Sequence, residues 1–161
     1  MSPNSDLITR FYTAFAARDH SPMAAAYAPD STFADAVFSL RGKEIGAMWH
    51  MLCESGKDLK VVFSEVEADD QVGRAHWEAW YSFGGRPVHN ILEARFKFAP
   101  ALHGTALIVA HRDEMNFRRW AAQALGPMGK LLGWAPFVQR QVQARARARL
   151  DRFILAHPQY R

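Results

Sequence analysis

The sequence has few of the residues that build disulfides, metal sites or phosphate-binding loops. It contains one cysteine, Cys53, which excludes an internal disulfide and is typical of a reducing compartment. Its 7 histidines show none of the spacings expected of metal ligands, and no glycine-rich phosphate loop occurs. We therefore predict that the protein uses no cofactor and no metal.

Long hydrophobic runs are also absent. No stretch approaches the roughly 18 apolar residues that a membrane span requires, and no signal peptide precedes the first polar segment. We therefore expect a soluble cytoplasmic protein. With 161 residues, the chain is expected to form one domain with a real hydrophobic core.

Basic residues are not in excess over most of the chain. Residues 136–161 contain six Arg and one Asp, and since the whole chain carries +4, the remaining residues sum to −1. A nucleic-acid-binding protein would interleave basic and aromatic residues along its body as well. We therefore expect no nucleic-acid partner.

Aromatic residues are abundant, with 5 Trp and 11 Phe, and the hydrophobic spacing changes along the chain. Periods near 3.6 predict helices over 5–18, 21–29 and 43–55 and again after 116, whereas alternation predicts strands over 31–38, 59–67, 72–83, 87–98 and 106–115. Helices that precede a run of strands favour an α+β fold with an antiparallel sheet over a βαβ arrangement. The aromatic residues would then line a packed core or a pocket.

Asp35 interrupts the apolar face of the first predicted strand. In a strand over 31–38, Phe33, Asp35 and Val37 share one face. An ionised carboxylate on a core face is costly unless it is paired or solvated. Asp35 is therefore a candidate catalytic residue, and the alternative is a strand-end carboxylate that is partly exposed or bonded to a backbone amide.

The last predicted strand places His111 and Asp113 on one face with Val109 and Met115. Together these two polar side chains can work as a base and an acid, or as a base and its orienting partner. The alternative is a buried polar pair that closes the sheet.

The segment 136–156 has an apolar stripe at helical spacing, flanked by arginines. The stripe consists of Val138, Val142, Ala146, Leu150, Phe153 and Ile154. We predict a domain over 1–135 and, over 136–161, a basic amphipathic helix that packs on the same domain. A second subunit and an anionic membrane surface are the alternative partners for this helix.

Three segments resemble the nuclear transport factor 2-like superfamily, in the branch of SnoaL-type cyclases, ketosteroid isomerases and limonene epoxide hydrolases. They read FYTAFAARDHSPMAAAYAPDSTFADAVF, AHWEAWYSFGGRPVHN and VAHRDEMNF, and the resemblance covers about residues 5–118. It implies a cone-shaped fold, in which a curved antiparallel sheet wraps around the N-terminal helices and leaves a deep pocket. The C-terminal helix is extra to this pattern.

The resemblance also bears on the site residues. Asp35 falls where ketosteroid isomerases keep a general-base Asp, but their oxyanion-stabilising Tyr and carboxylic acid fall at Phe11 and Ala94, which donate no hydrogen bond. Steroid-type isomerisation is therefore not expected. The cyclases and epoxide hydrolases place an acidic residue on the last strand, in a context like Arg112-Asp113.

Together these observations predict a SnoaL-like protein that binds a small apolar organic molecule. The predicted catalytic residues are Asp35, His111 and Asp113, and the predicted substrate contacts are Phe11, Phe15, Trp49, Trp77, Tyr81 and Met115. The chemistry expected is proton transfer, cyclisation or epoxide hydrolysis without a cofactor. The alternative is a non-catalytic ligand-binding or dimerisation module of the same fold, and a homodimer is expected in either case.

Overall fold

The computed structural model describes residues 2–100 and 106–161. Its elements are α1 (Pro3–Ala16), α2 (His20–Ala25), β1 (Tyr27–Ala34), β2 (Ser39–Arg41), α3 (Lys43–Ser55), β3 (Lys60–Ala68), β4 (Val72–Phe83), β5 (Arg86–Phe98), β6 (Ile108–Met115), α4 (Phe117–Ala124), α5 (Pro127–Leu132), α6 (Pro136–Ala156) and a 3-10 turn (Pro158–Tyr160). Residues 101–105, between β5 and β6, lie outside the described residues.

All six strands form one curved sheet in the order β2-β1-β6-β5-β4-β3. β1 runs parallel to β6, and the other neighbouring pairs are antiparallel. The β4–β5 hairpin turns at Gly84-Gly85, where φ is 56° and 80°, a backbone conformation that favours glycine. The predicted α+β fold is confirmed.

Helix α1 begins at a residue that caps it. The Ser2 side chain accepts a hydrogen bond from the Ser5 amide, and Pro3 occupies the first turn of α1, where its missing N–H costs nothing. The buried face of α1 includes Ile8 and Phe15, which recur at helical spacing. This face lies against the inner side of the sheet and forms the centre of the core.

The side chains of β4 alternate between the inner and the outer face of the sheet. Trp77 and Ala79 are buried on the inner face. The register pairs Trp77 of β4 with Leu92 of β5. It also pairs Ala94 of β5 with Asp113 of β6. The side chain of Asp113 therefore lies on the same inner face as the Trp77 indole.

The first strand ends earlier than the sequence predicts. β1 stops at Ala34, and Asp35 starts a turn in which its Oδ1 accepts hydrogen bonds from the amides of Val37 (2.7 Å) and Phe38 (2.6 Å). The chain then reverses into β2, which pairs Phe33 with Leu40. The predicted strand over 31–38 is wrong in its second half, because the Asp side chain offers the backbone an alternative to the ladder.

Helix α6 packs across α3 and reaches the Asp35 turn. Leu150 is fully buried in the core, and Arg147 forms an ion pair with Glu44 of α3. Gln139 and Gln143 donate hydrogen bonds to the Ala36 carbonyl, at 2.9 and 3.0 Å. The C-terminal helix thus supports the loop that carries Asp35.

None of the helices in the described segments combines the length and the hydrophobicity that crossing a membrane requires.

Candidate functional site

A cavity of about 560 Å³ lies between the inner face of the sheet and helices α1, α3 and α6. This volume is within the range of small-molecule sites. Most of the wall is aromatic or aliphatic, and the lining includes Phe15, Phe33, Val37, Phe38, Met48, Trp49, Met51, Leu52, Trp77, Ala79, Tyr81, Met115, Trp120 and Val142. An apolar molecule of modest size therefore fits the wall chemically.

Two carboxylates line this cavity. Asp35 comes from the turn after β1, where it is half-buried, and Asp113 comes from β6, where its side chain is almost fully buried. The fold therefore brings together the two acidic residues that the sequence singles out. Carboxylates in an apolar cavity are suited to acid–base chemistry because their solvation is limited.

A chain of buried hydrogen bonds holds Asp113. Its Oδ1 lies 2.9 Å from Nε2 of His111 and accepts a hydrogen bond of 3.3 Å from the Trp77 indole N–H. The other ring nitrogen of His111 lies 2.7 Å from the Tyr27 hydroxyl, which accepts a 3.1 Å hydrogen bond from the Trp49 indole N–H. No hydrogen bond from the described residues reaches Oδ2 of Asp113, so only Oδ1 is held by this chain of bonds.

His111 lies behind Asp113 and does not line the cavity. Its ring is fully buried and is surrounded by Phe11, Phe33 and Phe96, at centroid distances of 5.9, 5.0 and 4.3 Å. Since both ring nitrogens are engaged, His111 is placed to orient Asp113 rather than to touch a ligand. This is the orienting role that the sequence left open beside the acid–base role.

The pKa of Asp35 is shifted towards neutrality. Burial raises it from 3.8 to about 6; the amides of Phe38 and Val37 oppose this shift, and the nearby charge of Asp113 adds to it. A carboxyl group with such a pKa exchanges protons under physiological conditions. Asp35 is therefore suited to give or take a proton within the cavity.

Five of the six predicted contact residues line the cavity, and Phe11 does not. Phe15, Trp49, Trp77, Tyr81 and Met115 belong to the wall. Phe11 is 1% exposed and packs edge-on against Trp49, at a centroid distance of 5.5 Å. Phe11 shares the α1 face of Phe15 but lies one turn earlier, where the rings of Trp49 and His111 pack against it; this corrects its expected placement.

Several wall residues come from segments that the sequence analysis assigned to packing. Trp120 of α4 donates a 2.8 Å hydrogen bond to the Tyr81 hydroxyl, and Arg145 and Arg149 of α6 stand at the edge of the cavity. Both arginines flank the apolar stripe of α6. This position in the sequence is the signal that could have predicted them at the edge of the cavity. No local pattern distinguishes Trp120 from an ordinary core residue.

A second polar group, which includes His76 and Glu78, lies on the outer face of the sheet. Glu78 lies 3.5 Å from His76 and 2.8 Å from His89, and Glu93 lies 2.5 Å from the other side of His76. The hydrogen bond from the His76 ring to the Glu93 carboxylate is the main cause of a raised pKa at His76. We call His76, Glu78, His89 and Glu93 the outer cluster. These residues do not line the cavity.

A third group joins α3 to the end of α6. His50, Glu54 and His157 each present one potential ligand atom, and these atoms lie within 4.8 Å of one another. The spacing of the histidines does not reveal this group, because His157 is distant in sequence from the other two residues. Of the described residues, these are the ones placed to hold a metal ion.

The architecture is shared with several solved structures, although sequence identity is low. A ketosteroid isomerase-like protein from Catenulispora acidiphila, crystallised with trimethylamine, superposes with a TM-score of 0.61 at 13% identity, over 75% of this chain and 93% of its own. An LEH-like epoxide hydrolase from Mycobacterium tuberculosis gives 0.61 at 16% identity, over 83% and 96%. A protein of unknown function from the same organism gives 0.62 at 14% identity, over 92% and 88%. These likenesses support the fold.

Sequence comparison is consistent with this fold. No curated protein is significantly similar to the chain. The profile of the SnoaL-like domain matches residues 8–99, more than half of the chain, from α1 to just beyond β5. With its curved sheet, its helices and its apolar cavity, the chain belongs to the SnoaL-like domain family.

Proposed function

We propose that this protein binds a small, mainly apolar organic molecule in its cavity and hydrolyses an epoxide group on it without a cofactor. The observation that carries the proposal is that Asp35 and Asp113, from separate elements, line one apolar cavity. The likeness to an epoxide hydrolase from Mycobacterium tuberculosis supports the same reaction class.

The two carboxyl groups take complementary roles. Oδ1 of Asp113 is held by His111 and Trp77, so its second oxygen is free to remove a proton from water. The water oxygen then attacks an epoxide carbon and the C–O bond breaks. Asp35, whose pKa is raised to about 6, donates a proton to the oxygen that leaves. The product is a diol, and solvent returns the proton from Asp113 to Asp35.

Isomerisation through an enolate is less well supported by the same cavity. That reaction needs hydrogen-bond donors at the developing oxyanion. Phe11 and Ala94 donate none, and the Tyr12 hydroxyl is buried away from the cavity lining without a partner among the described residues. Two carboxyl groups that line one cavity suit the opening of an epoxide, which needs an acid and a base.

The proposal is tested with a panel of apolar epoxides and the variants Asp35→Asn and Asp113→Asn. We expect the wild-type protein to form diols whose new oxygen comes from labelled water, as measured by mass spectrometry. Each variant is expected to lose at least about 100-fold in rate, while binding of the epoxide, followed by tryptophan fluorescence, persists.

Asp30→Asn is the matched control, since Asp30 is an exposed carboxylate on β1. Its activity is expected to equal that of the wild type. Binding of epoxides without any diol would contradict catalysis and favour the non-catalytic binding module. Absence of binding to the whole panel would contradict the proposal altogether.

A further inference from the structure

Two histidines and a glutamate converge outside the cavity, where α3 meets the end of α6. His50 and Glu54 lie one turn apart on α3, with His50 Nε2 3.2 Å from Glu54 Oε2. His157 ends α6. One ligand atom from each lies within 4.8 Å of the others, so the three side chains converge on one point.

The Nδ1 atoms of both histidines already have hydrogen-bond partners. His157 Nδ1 donates a 2.8 Å hydrogen bond to the Phe153 carbonyl, which fixes its proton and leaves Nε2 with a lone pair when the ring is neutral. His50 Nδ1 lies 2.9 Å from the Tyr160 hydroxyl. Histidines that bind metals usually make this kind of outer hydrogen bond, which sets the tautomer and the ring orientation.

Stacking holds both rings in place. The His20 ring lies on His50 at a centroid distance of 3.6 Å and an angle of 12°. The Phe153 ring lies on His157 at 3.9 Å. The His50 side chain is 15% exposed and that of Glu54 is 61% exposed, so the group has a rigid inner side and an open side for an ion and a water ligand.

We propose that His50, Glu54 and His157 form a binding site for a zinc-like divalent cation, with water in the remaining position. Two imidazole nitrogens and one carboxylate oxygen are a donor set that suits zinc. Magnesium and calcium are disfavoured because they prefer oxygen ligands. The bound ion would connect α3 with the end of α6, two helices that line the cavity, and this site is independent of the proposed reaction.

The test uses the full-length protein, freed of metal with a chelator and then dialysed. Zinc is titrated by calorimetry, and cobalt(II) is titrated in parallel by visible absorption. We expect one equivalent to bind, with a cobalt spectrum typical of low coordination number. His157→Gln and His50→Gln are expected to weaken binding by at least about tenfold.

His76→Gln is the matched control, since His76 belongs to the outer cluster of two histidines and two glutamates. Its affinity for zinc is expected to equal that of the wild type. If His50→Gln fails to fold, the affinity of His157→Gln decides, because His157 lies after the last turn of α6. Thermal unfolding of the His157→Gln variant in chelator checks that this variant is folded. Zinc is also expected to protect the C-terminal helix from proteolysis in the wild type and not in His157→Gln.

Three results would overturn this site. They are an absence of zinc binding by the wild-type protein at micromolar concentration, unchanged affinity in His157→Gln, and loss of binding in His76→Gln. The last result would assign the ion to the outer cluster.

Discussion

At the scale of single residues, Asp35 combines a structural and a chemical role. Its Oδ1 closes the turn after β1 by accepting two backbone hydrogen bonds, while burial raises its pKa to about 6. Between the usual pKa of 3.8 and this value, the folded protein binds more protons than the unfolded chain. The free energy of unfolding is therefore expected to fall as pH rises through this window, and the ionised carboxylate destabilises the fold at neutral pH.

Asp35→Asn is predicted to raise the free energy of unfolding at pH 7 by about 1–3 kcal/mol. The Asn side chain still offers an oxygen to the amides of Val37 and Phe38 but carries no charge. Urea denaturation at pH 4 and pH 7 measures the effect, which is expected to vanish at the lower pH. An equal difference at both pH values would contradict the predicted titration. The exposed Asp30→Asn is expected to stay within about 0.5 kcal/mol of the wild type.

The residues of the site differ in how far the sequence predicts them. Asp35 stands out because a carboxylate interrupts an apolar alternation, and His111 and Asp113 stand out because they share a strand face. The turn at Asp35 was missed because the alternation continues to Phe38, although β1 ends at Ala34. That His111 lies behind Asp113 follows from the packing of three phenylalanines around its ring, which no spacing reveals.

At the scale of elements, the hydrophobic period predicts several strands and helices, whereas it does not predict the contacts between them. The bounds of α3 and β4 agree with the helical period over 43–55 and the alternation over 72–83 that predict them. Contacts between α6 and the Asp35 turn join residues about 100 positions apart in sequence. Local spacing carries no information about such contacts, and the same reason hides the group formed by His50, Glu54 and His157.

Leu150→Ala is predicted to destabilise the protein by about 2–5 kcal/mol, because it leaves a cavity beneath α6. The Leu150 side chain is fully buried against the main core. Leu155→Ala is the matched control on the same helix, since Leu155 is 65% exposed and its loss is expected to cost less than about 0.5 kcal/mol. Urea denaturation compares the two variants. Equal free energies of unfolding would mean that α6 contributes little to the stability of this domain.

At the scale of the whole molecule, the cavity is a product of the entire chain. Its wall takes residues from α1, β1, α3, β4, β6, α4 and α6, so the part that matches the SnoaL-like domain profile supplies only some of it. Residues of α4 and α6, which follow β6, close one side of the cavity. Specificity for a ligand is therefore expected to depend on α6 as much as on the sheet.

Ala146→Trp is predicted to reduce the affinity for an apolar fluorescent probe by about tenfold or more, because the larger side chain enters the cavity from α6. Ala146 belongs to the wall, whereas Ala144, on the same helix, is exposed. Ala144→Trp is thus the matched control and is expected to bind the probe like the wild type. Equal affinities in the two variants would show that the probe binds elsewhere.

The parallel pairing of β1 with β6 also has a consequence for how the chain folds. The strand that leads to Asp35 is made early during synthesis, yet its neighbour in the sheet, which carries Asp113, emerges only after four further strands and α3. Pairings of such high sequence separation are slow because loop closure is costly in entropy. The two carboxylates therefore meet late, and an incomplete chain would expose an unpaired strand edge until β6 arrives.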